Sequence, residues 1–138
     1  DRRDNLMFHP TEPRVIAVLD WELSTLGHPL ADFAYHCMSW HIPAALGRGI
    51  AGLDLVALGI PSEQDYIQRY CERTGTADVA ALHADWNFYM AYNMFRIAAI
   101  LQGIAKRVED GTAASAQAKA AGATARPMAE LAWSFAQR

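Results

Sequence analysis

The apolar residues Trp86, Met90, Met94, Ile97, Leu101, Ile104 and Val108 recur at steps of four and three, the spacing of side chains along one face of an α-helix. A second stripe, Phe88, Tyr92, Phe95 and Ala99, follows the same steps on another side. Apolar side chains on so much of the circumference predict a helix buried on several sides, the central helix of a helical lobe. Its neighbours are legible in outline. Pro29, after Gly27, suits a first helical turn, where its missing N–H would have had no intrahelical partner, and that helix is expected to run to about Trp40. Gly47, Gly49, Gly52, Gly59 and Pro61 mark a loop-rich connection. Ser62 is then a candidate N-cap for a helix through Arg73, stopped near Gly75, and Asp78 a candidate cap for the next. The alanine-rich stretch from Ala113 to Arg138 favours helix, with a break or kink expected at Gly122 and Pro127.

Ahead of the helices stands a different pattern. Leu6-Met7-Phe8 and the β-prone Val15-Ile16-Ala17-Val18-Leu19 flank a polar turn with two prolines, His9 to Arg14, and read as a hairpin. In an antiparallel pair, Asn5 at the entrance of the first strand and Asp20 at the exit of the second become neighbours. The expected fold is mainly α with a small β-hairpin, a single lobe over residues 1–138.

Composition narrows the function classes. The 138 residues are 52% hydrophobic and 20% charged, the balance of a compact domain with a core. A net charge of -3, without a basic run, argues against nucleic acid as a partner. No apolar stretch reaches the ~18 residues of a membrane span. Cys37 and Cys71 lack Cys-x-x-Cys spacing and read as thiols of a reducing compartment, so a cytoplasmic location is expected. The dense polar opening, Asp1-Arg2-Arg3-Asp4-Asn5, suggests that the natural polypeptide extends upstream.

Phosphoryl transfer asks a protein for a divalent metal held against phosphates and a base aimed at the acceptor hydroxyl. Magnesium takes one or two protein oxygens and completes its shell with water and phosphate; an Asn and an Asp at adjacent strand ends meet that demand. Three segments, in order, resemble the aminoglycoside phosphotransferase and choline kinase-like family, which shares the C-terminal lobe plan of protein kinases. Asp4-Asn5-Leu6-Met7-Phe8 resembles the end of the family's catalytic loop, His-x-Asp-x-x-x-x-Asn. Val18-Leu19-Asp20-Trp21-Glu22 resembles its second metal motif. Gly27-His28-Pro29-Leu30-Ala31-Asp32-Phe33-Ala34 is similar to its Gly-x-Pro-x-x-Asp-x-Ala segment.

The resemblance implies the C-terminal lobe of a kinase-like fold, with Asn5 and Asp20 as magnesium ligands, Asp32 bracing the catalytic loop, and ATP and a small hydroxylated molecule as substrates. The family's catalytic Asp lies five positions before the Asn, whereas Asp1 lies four before Asn5. Either Asp1 is the base of a loop one residue shorter, or the base precedes residue 1. A Gly-rich loop and a strand-borne phosphate lysine are absent from the sequence, so the N-terminal ATP-gripping lobe is missing and this piece alone is expected to be inactive. Phe95-Arg96-Ile97-Ala98-Ala99-Ile100-Leu101-Gln102-Gly103, with Lys106-Arg107, is similar to the kinase-like domain fused to acyl-CoA dehydrogenases, which implies a hydroxyacyl acceptor.

Other readings stand beside these. Arg96, amid apolar neighbours, is expected to be buried and therefore paired: either in an internal ion pair with Glu22 or Asp32, or as a substrate-binding residue. His36 and His41 are five apart and fall on different helix faces, which disfavours a zinc site with His28. The rival to an enzyme is a lobe that keeps the kinase scaffold as a binding module. The oligomeric state, a homodimer included, is left open.

Overall fold

A computed structural model describes residues 5–22, 24–47, 49–75 and 79–138. The chain begins with a two-stranded antiparallel hairpin, β1 (Leu6–Phe8) and β2 (Val15–Val18). Leu6 faces Val18 and Met7 faces Ala17, with an irregularity between Met7 and Phe8. Among the described residues five α-helices follow: α1 (Pro29–Cys37), α2 (Glu63–Thr74), α3 (Val79–Glu109), α4 (Ala116–Ala123) and α5 (Ala125–Ala136). The protein is thus mainly α with a small hairpin. Among the described residues, no helix is long and apolar enough to cross a membrane.

Local chemistry sets most boundaries. Pro29 opens α1; the segment continues to Trp40 as a tighter 3-10 turn over Met38–Trp40. The Ser62 side chain accepts from the Asp65 N–H at 3.1 Å, satisfying one of the first-turn donors that a helix cannot pair internally. Gly75 terminates α2 in the left-handed conformation, φ 60°, with its N–H on the Cys71 carbonyl, a conformation that only glycine adopts without penalty. Asp78, the candidate cap of α3, lies outside the described residues.

α3 is the axis of the lobe. Its 31 residues span about 46 Å at 1.5 Å per residue, and it packs against α5, α4 and α1. Trp86, Met90, Met94 and Ile97 are buried there with Phe33, Ala34, Cys37, Ile67, Met128, Ala132 and Phe135. The expectation of burial on several sides is corrected by the second stripe. Phe88, Tyr92 and Phe95 are 67%, 51% and 56% exposed, because the surrounding helices all pack on the other sides of α3. At the C-terminal end, the interruption falls between the two expected positions, at Thr124, which caps α4 and precedes α5. Pro127 sits in the first turn of α5, where it costs no hydrogen bond. Gly122 marks a close crossing: a Cβ there would lie 2.8 Å from the Ala105 Cα.

Two polar contacts tie the helices together. Glu63, at the start of α2, accepts from the Trp86 indole at 3.1 Å and lies 2.8 Å from Nε2 of His41. Asn93, fully buried on α3, donates to the Ala31 carbonyl at 3.0 Å. Neither was legible in the sequence, since each joins segments more than twenty residues apart.

Candidate functional site

The hairpin register brings its two ends together. The Leu19 N–H donates to the Asn5 carbonyl at 2.7 Å, one rung beyond the last strand pair, and the next residue turns sharply. Asp20 is the one non-glycine residue with positive φ among those described, 65°. The left-handed region costs an L-residue roughly 1–2 kcal/mol, a cost that Asp and Asn soften through local hydrogen bonds. The turn aims the carboxylate back across the strand end, where Oδ2 accepts from the Asn5 amide at 3.0 Å. Trp21 fixes the same turn, its indole N–H donating to the Val18 carbonyl at 2.6 Å. Sequence reasoning gave Trp21 no part in the site, reading it as a core or interface residue, whereas it is 64% exposed. Its position directly after Asp20 was the available signal.

This pair fits a hard divalent cation. Neighbouring ligands of an octahedral magnesium at 2.0–2.1 Å lie about 2.9 Å apart, close to the separation of the Asn5 amide group from Asp20 Oδ2. Which amide atom faces the carboxylate follows from hydrogen bonding; to join Asp20 on a cation, the amide would have to rotate so that its oxygen takes the nitrogen's place. Two protein oxygens suit magnesium, which keeps waters and phosphate oxygens in its shell. Among the described residues, no three His, Cys, Asp or Glu side chains gather to hold a metal by themselves.

Asp32 lies on the first turn of α1, exposed to solvent. Asn93 anchors that turn through the neighbouring Ala31 carbonyl, and the His28 ring stacks on Tyr89 at 5.9 Å between centroids. The segment from Gly27 to Ala34 is thereby held against α3. Asp1 and most of the loop that Asp32 is expected to brace lie outside the described residues.

Arg96 requires a correction. It is exposed, and among the described residues no carboxylate, including Glu22 and Asp32, lies within 4.0 Å of it. Its guanidinium instead sits 5.3 Å from the centre of the Tyr35 ring, a cation–π contact of the kind that holds exposed cations. The apolar neighbours that suggested burial divide between two sides of α3: Ile97 and Ala98 turn inward, Phe95 and Ala99 outward.

The histidines disperse into separate contacts. His28 meets Tyr89, His36 lies against Trp40 and Tyr66, and His41 joins Glu63 and the edge of Phe135. Burial, with a smaller push from Glu63, raises the Cys37 thiol far above its ordinary range, so it is not an activated nucleophile.

Known proteins resemble this chain in sequence and in fold. Residues 2–82 match the model of the phosphotransferase enzyme family. The chain is 48% identical to acyl-CoA dehydrogenase family member 10 of Mus musculus, over 99% of its own length and 13% of that protein. It is 37% identical to family member 11 of Homo sapiens, over 99% of its length and 17% of that protein. A crystal structure of a protein from Ralstonia eutropha JMP134, assigned as an aminoglycoside phosphotransferase, superposes with a TM-score of 0.85 at 66% identity; the match covers 97% of this chain and 40% of that one. The chain therefore spans less than a fifth of the two acyl-CoA dehydrogenase family members and 40% of the Ralstonia eutropha protein.

Proposed function

This chain belongs to the phosphotransferase enzyme family, and on that premise we propose that it is the metal-holding C-terminal lobe of an ATP- and magnesium-dependent enzyme that phosphorylates a hydroxyl group of a small molecule. The observation that carries the reading is the 3.0 Å approach of Asn5 to Asp20 at the base of the hairpin.

Asn5 and Asp20 would hold the cation, with water and ATP completing its shell. Magnesium, when bound, neutralises phosphate charge and orients the transferring group. Asp1, or a carboxylate just before it, accepts the proton of the acceptor hydroxyl as that oxygen attacks the γ-phosphorus and the bond to the departing ADP oxygen breaks. Asp32 braces the loop that carries this base. Arg96, exposed and without a carboxylate partner among the described residues, offers its charge to an anionic group of the acceptor. A hydroxyacyl acceptor is supported by the kinship with proteins named as acyl-CoA dehydrogenase family members. The N-terminal lobe that grips ATP belongs to the longer polypeptide, and we place the enzyme in the cytoplasm, where ATP is available.

The test is phosphotransfer by the longer polypeptide containing this lobe, with Asp20→Asn. Removing one preorganised charge-stabilising group from such a site lowers turnover by roughly 100-fold or more, so a loss of that size is expected with the fold intact by circular dichroism. Unchanged turnover would remove Asp20 from the mechanism, and nucleotide binding without any turnover in the unmutated protein would favour a binding module instead.

A further inference from the structure

Helix α1 lies along α3 with its contacts in matching order. His28 stacks on Tyr89, the Ala31 carbonyl accepts from Asn93, and the Tyr35 ring faces the Arg96 guanidinium. Tyr89, Asn93 and Arg96 follow one another at steps of four and three, the spacing of one helix face. Two of these contacts tolerate sliding, because a stacked pair at 5.9 Å and a cation 5.3 Å from a ring centre have broad geometric optima. The third does not. A hydrogen bond from Asn93 Nδ2 to the Ala31 oxygen at 3.0 Å weakens steeply with misalignment, so it alone of the three fixes where the first turn of α1 sits along α3.

Stability alone does not account for Asn93. It is the one buried polar side chain among the described residues, and its Oδ1 is enclosed without a hydrogen-bond partner among them. An unpaired buried oxygen costs at least as much as one neutral hydrogen bond contributes. Leucine, of similar size, would fill the same space without that cost, and the Ala31 carbonyl, inside α1, would keep its helical N–H partner. What leucine cannot supply is direction. A buried polar group kept without a gain in stability marks a place where position matters, and the residue directly after Ala31 is Asp32. We propose that Asn93 is a positioning residue, which fixes the first turn of α1 against α3 and thereby aims Asp32 at the loop that carries the catalytic base. Its effect on turnover rests on the phosphotransfer reading; its effect on the turn rests on the Asn93 geometry alone.

The test sets Asn93→Leu beside Asp20→Asn in the longer polypeptide containing this lobe. Asn93→Leu should melt at an unchanged or higher temperature and should speed amide hydrogen exchange across residues 27–34 several-fold, the scale of one neutral hydrogen bond. Turnover should fall by roughly 10- to 100-fold, the scale of a misplaced catalytic group, with the KM for ATP unchanged. A residue that only stabilised the core would give the reverse, a lower melting temperature with normal turnover. Met94→Leu, a volume-conserving change at the adjacent fully buried position, should alter neither exchange nor turnover. If Asn93→Leu does not fold, Asn93→Ala removes the same two polar atoms without new bulk and is read by the same exchange and turnover. Unchanged exchange over residues 27–34, or full turnover in the Asn93 variant while Asp20→Asn loses it, would overturn the proposal. Absence of turnover in the unmodified polypeptide would sink the phosphotransfer reading instead, and the exchange of residues 27–34 would still decide whether Asn93 holds the turn.

Discussion

The hairpin and the helical block obey different rules. The strands of the hairpin pair mainly with each other, and Met7, Phe8, Val15 and Ile16 remain between 44% and 55% exposed. In the helical block, by contrast, Met90, Met94, Ala34 and Cys37 are sealed from solvent. The candidate chemistry sits on the first region and the bulk of the buried apolar area in the second. A rigid scaffold that presents polar groups at the end of a small, lightly packed element is a common division of labour, because a site must stay open to what it binds. Within the helical block, Asn93 spends buried hydrogen-bonding capacity on the first turn of α1, next to Asp32.

This contrast can be broken by matched substitutions. Met94→Ala removes a fully buried side chain and should cost about 2–5 kcal/mol, read from the midpoint of urea unfolding, whereas Ile16→Ala in the hairpin should cost under about 1 kcal/mol. Equal costs would show that the hairpin is part of the core. Gly122→Val sharpens the picture of the helical block. The added atoms meet the Ala105 backbone, and overpacking of this kind should destabilise by about 1–3 kcal/mol on the same urea scale. An effect of opposite sign is expected at Asp20. Asp20→Gly relieves the left-handed backbone at φ 65° and should stabilise the fold by about 1 kcal/mol while removing the carboxylate. A gain in melting temperature together with lost divalent binding would mark strain retained for function.

Elements governed by neighbouring residues were legible in the sequence. The hairpin follows from two β-prone runs around a proline-bearing turn. Ser62 and Gly75 bound α2 because capping is chemistry within one turn of helix. The approach of Asn5 to Asp20 is a consequence of strand pairing, so it too could be read ahead of the coordinates. What escaped depends on distant segments. Periodicity shows that α3 has two apolar stripes, but not that only one has neighbours to cover it, and Arg96 was misjudged for the same reason. The Glu63 contacts with His41 and Trp86 join three separate segments, a coincidence in space that no local pattern encodes. At Thr124, packing of α4 and α5 on α3 decided where the helix breaks, ahead of the propensities of Gly122 and Pro127.

The central claim is that Asn5 and Asp20 share one divalent cation, and paramagnetic line broadening in the nuclear magnetic resonance spectrum tests it even where binding is weak. On titration with Mn²⁺, the Asn5 side-chain amide and the backbone amides of Leu19, Asp20 and Trp21 should broaden first, excess Mg²⁺ should restore them, and Asp20→Asn should abolish the selectivity. Broadening centred on other carboxylates, or an unchanged pattern in the variant, would contradict the account.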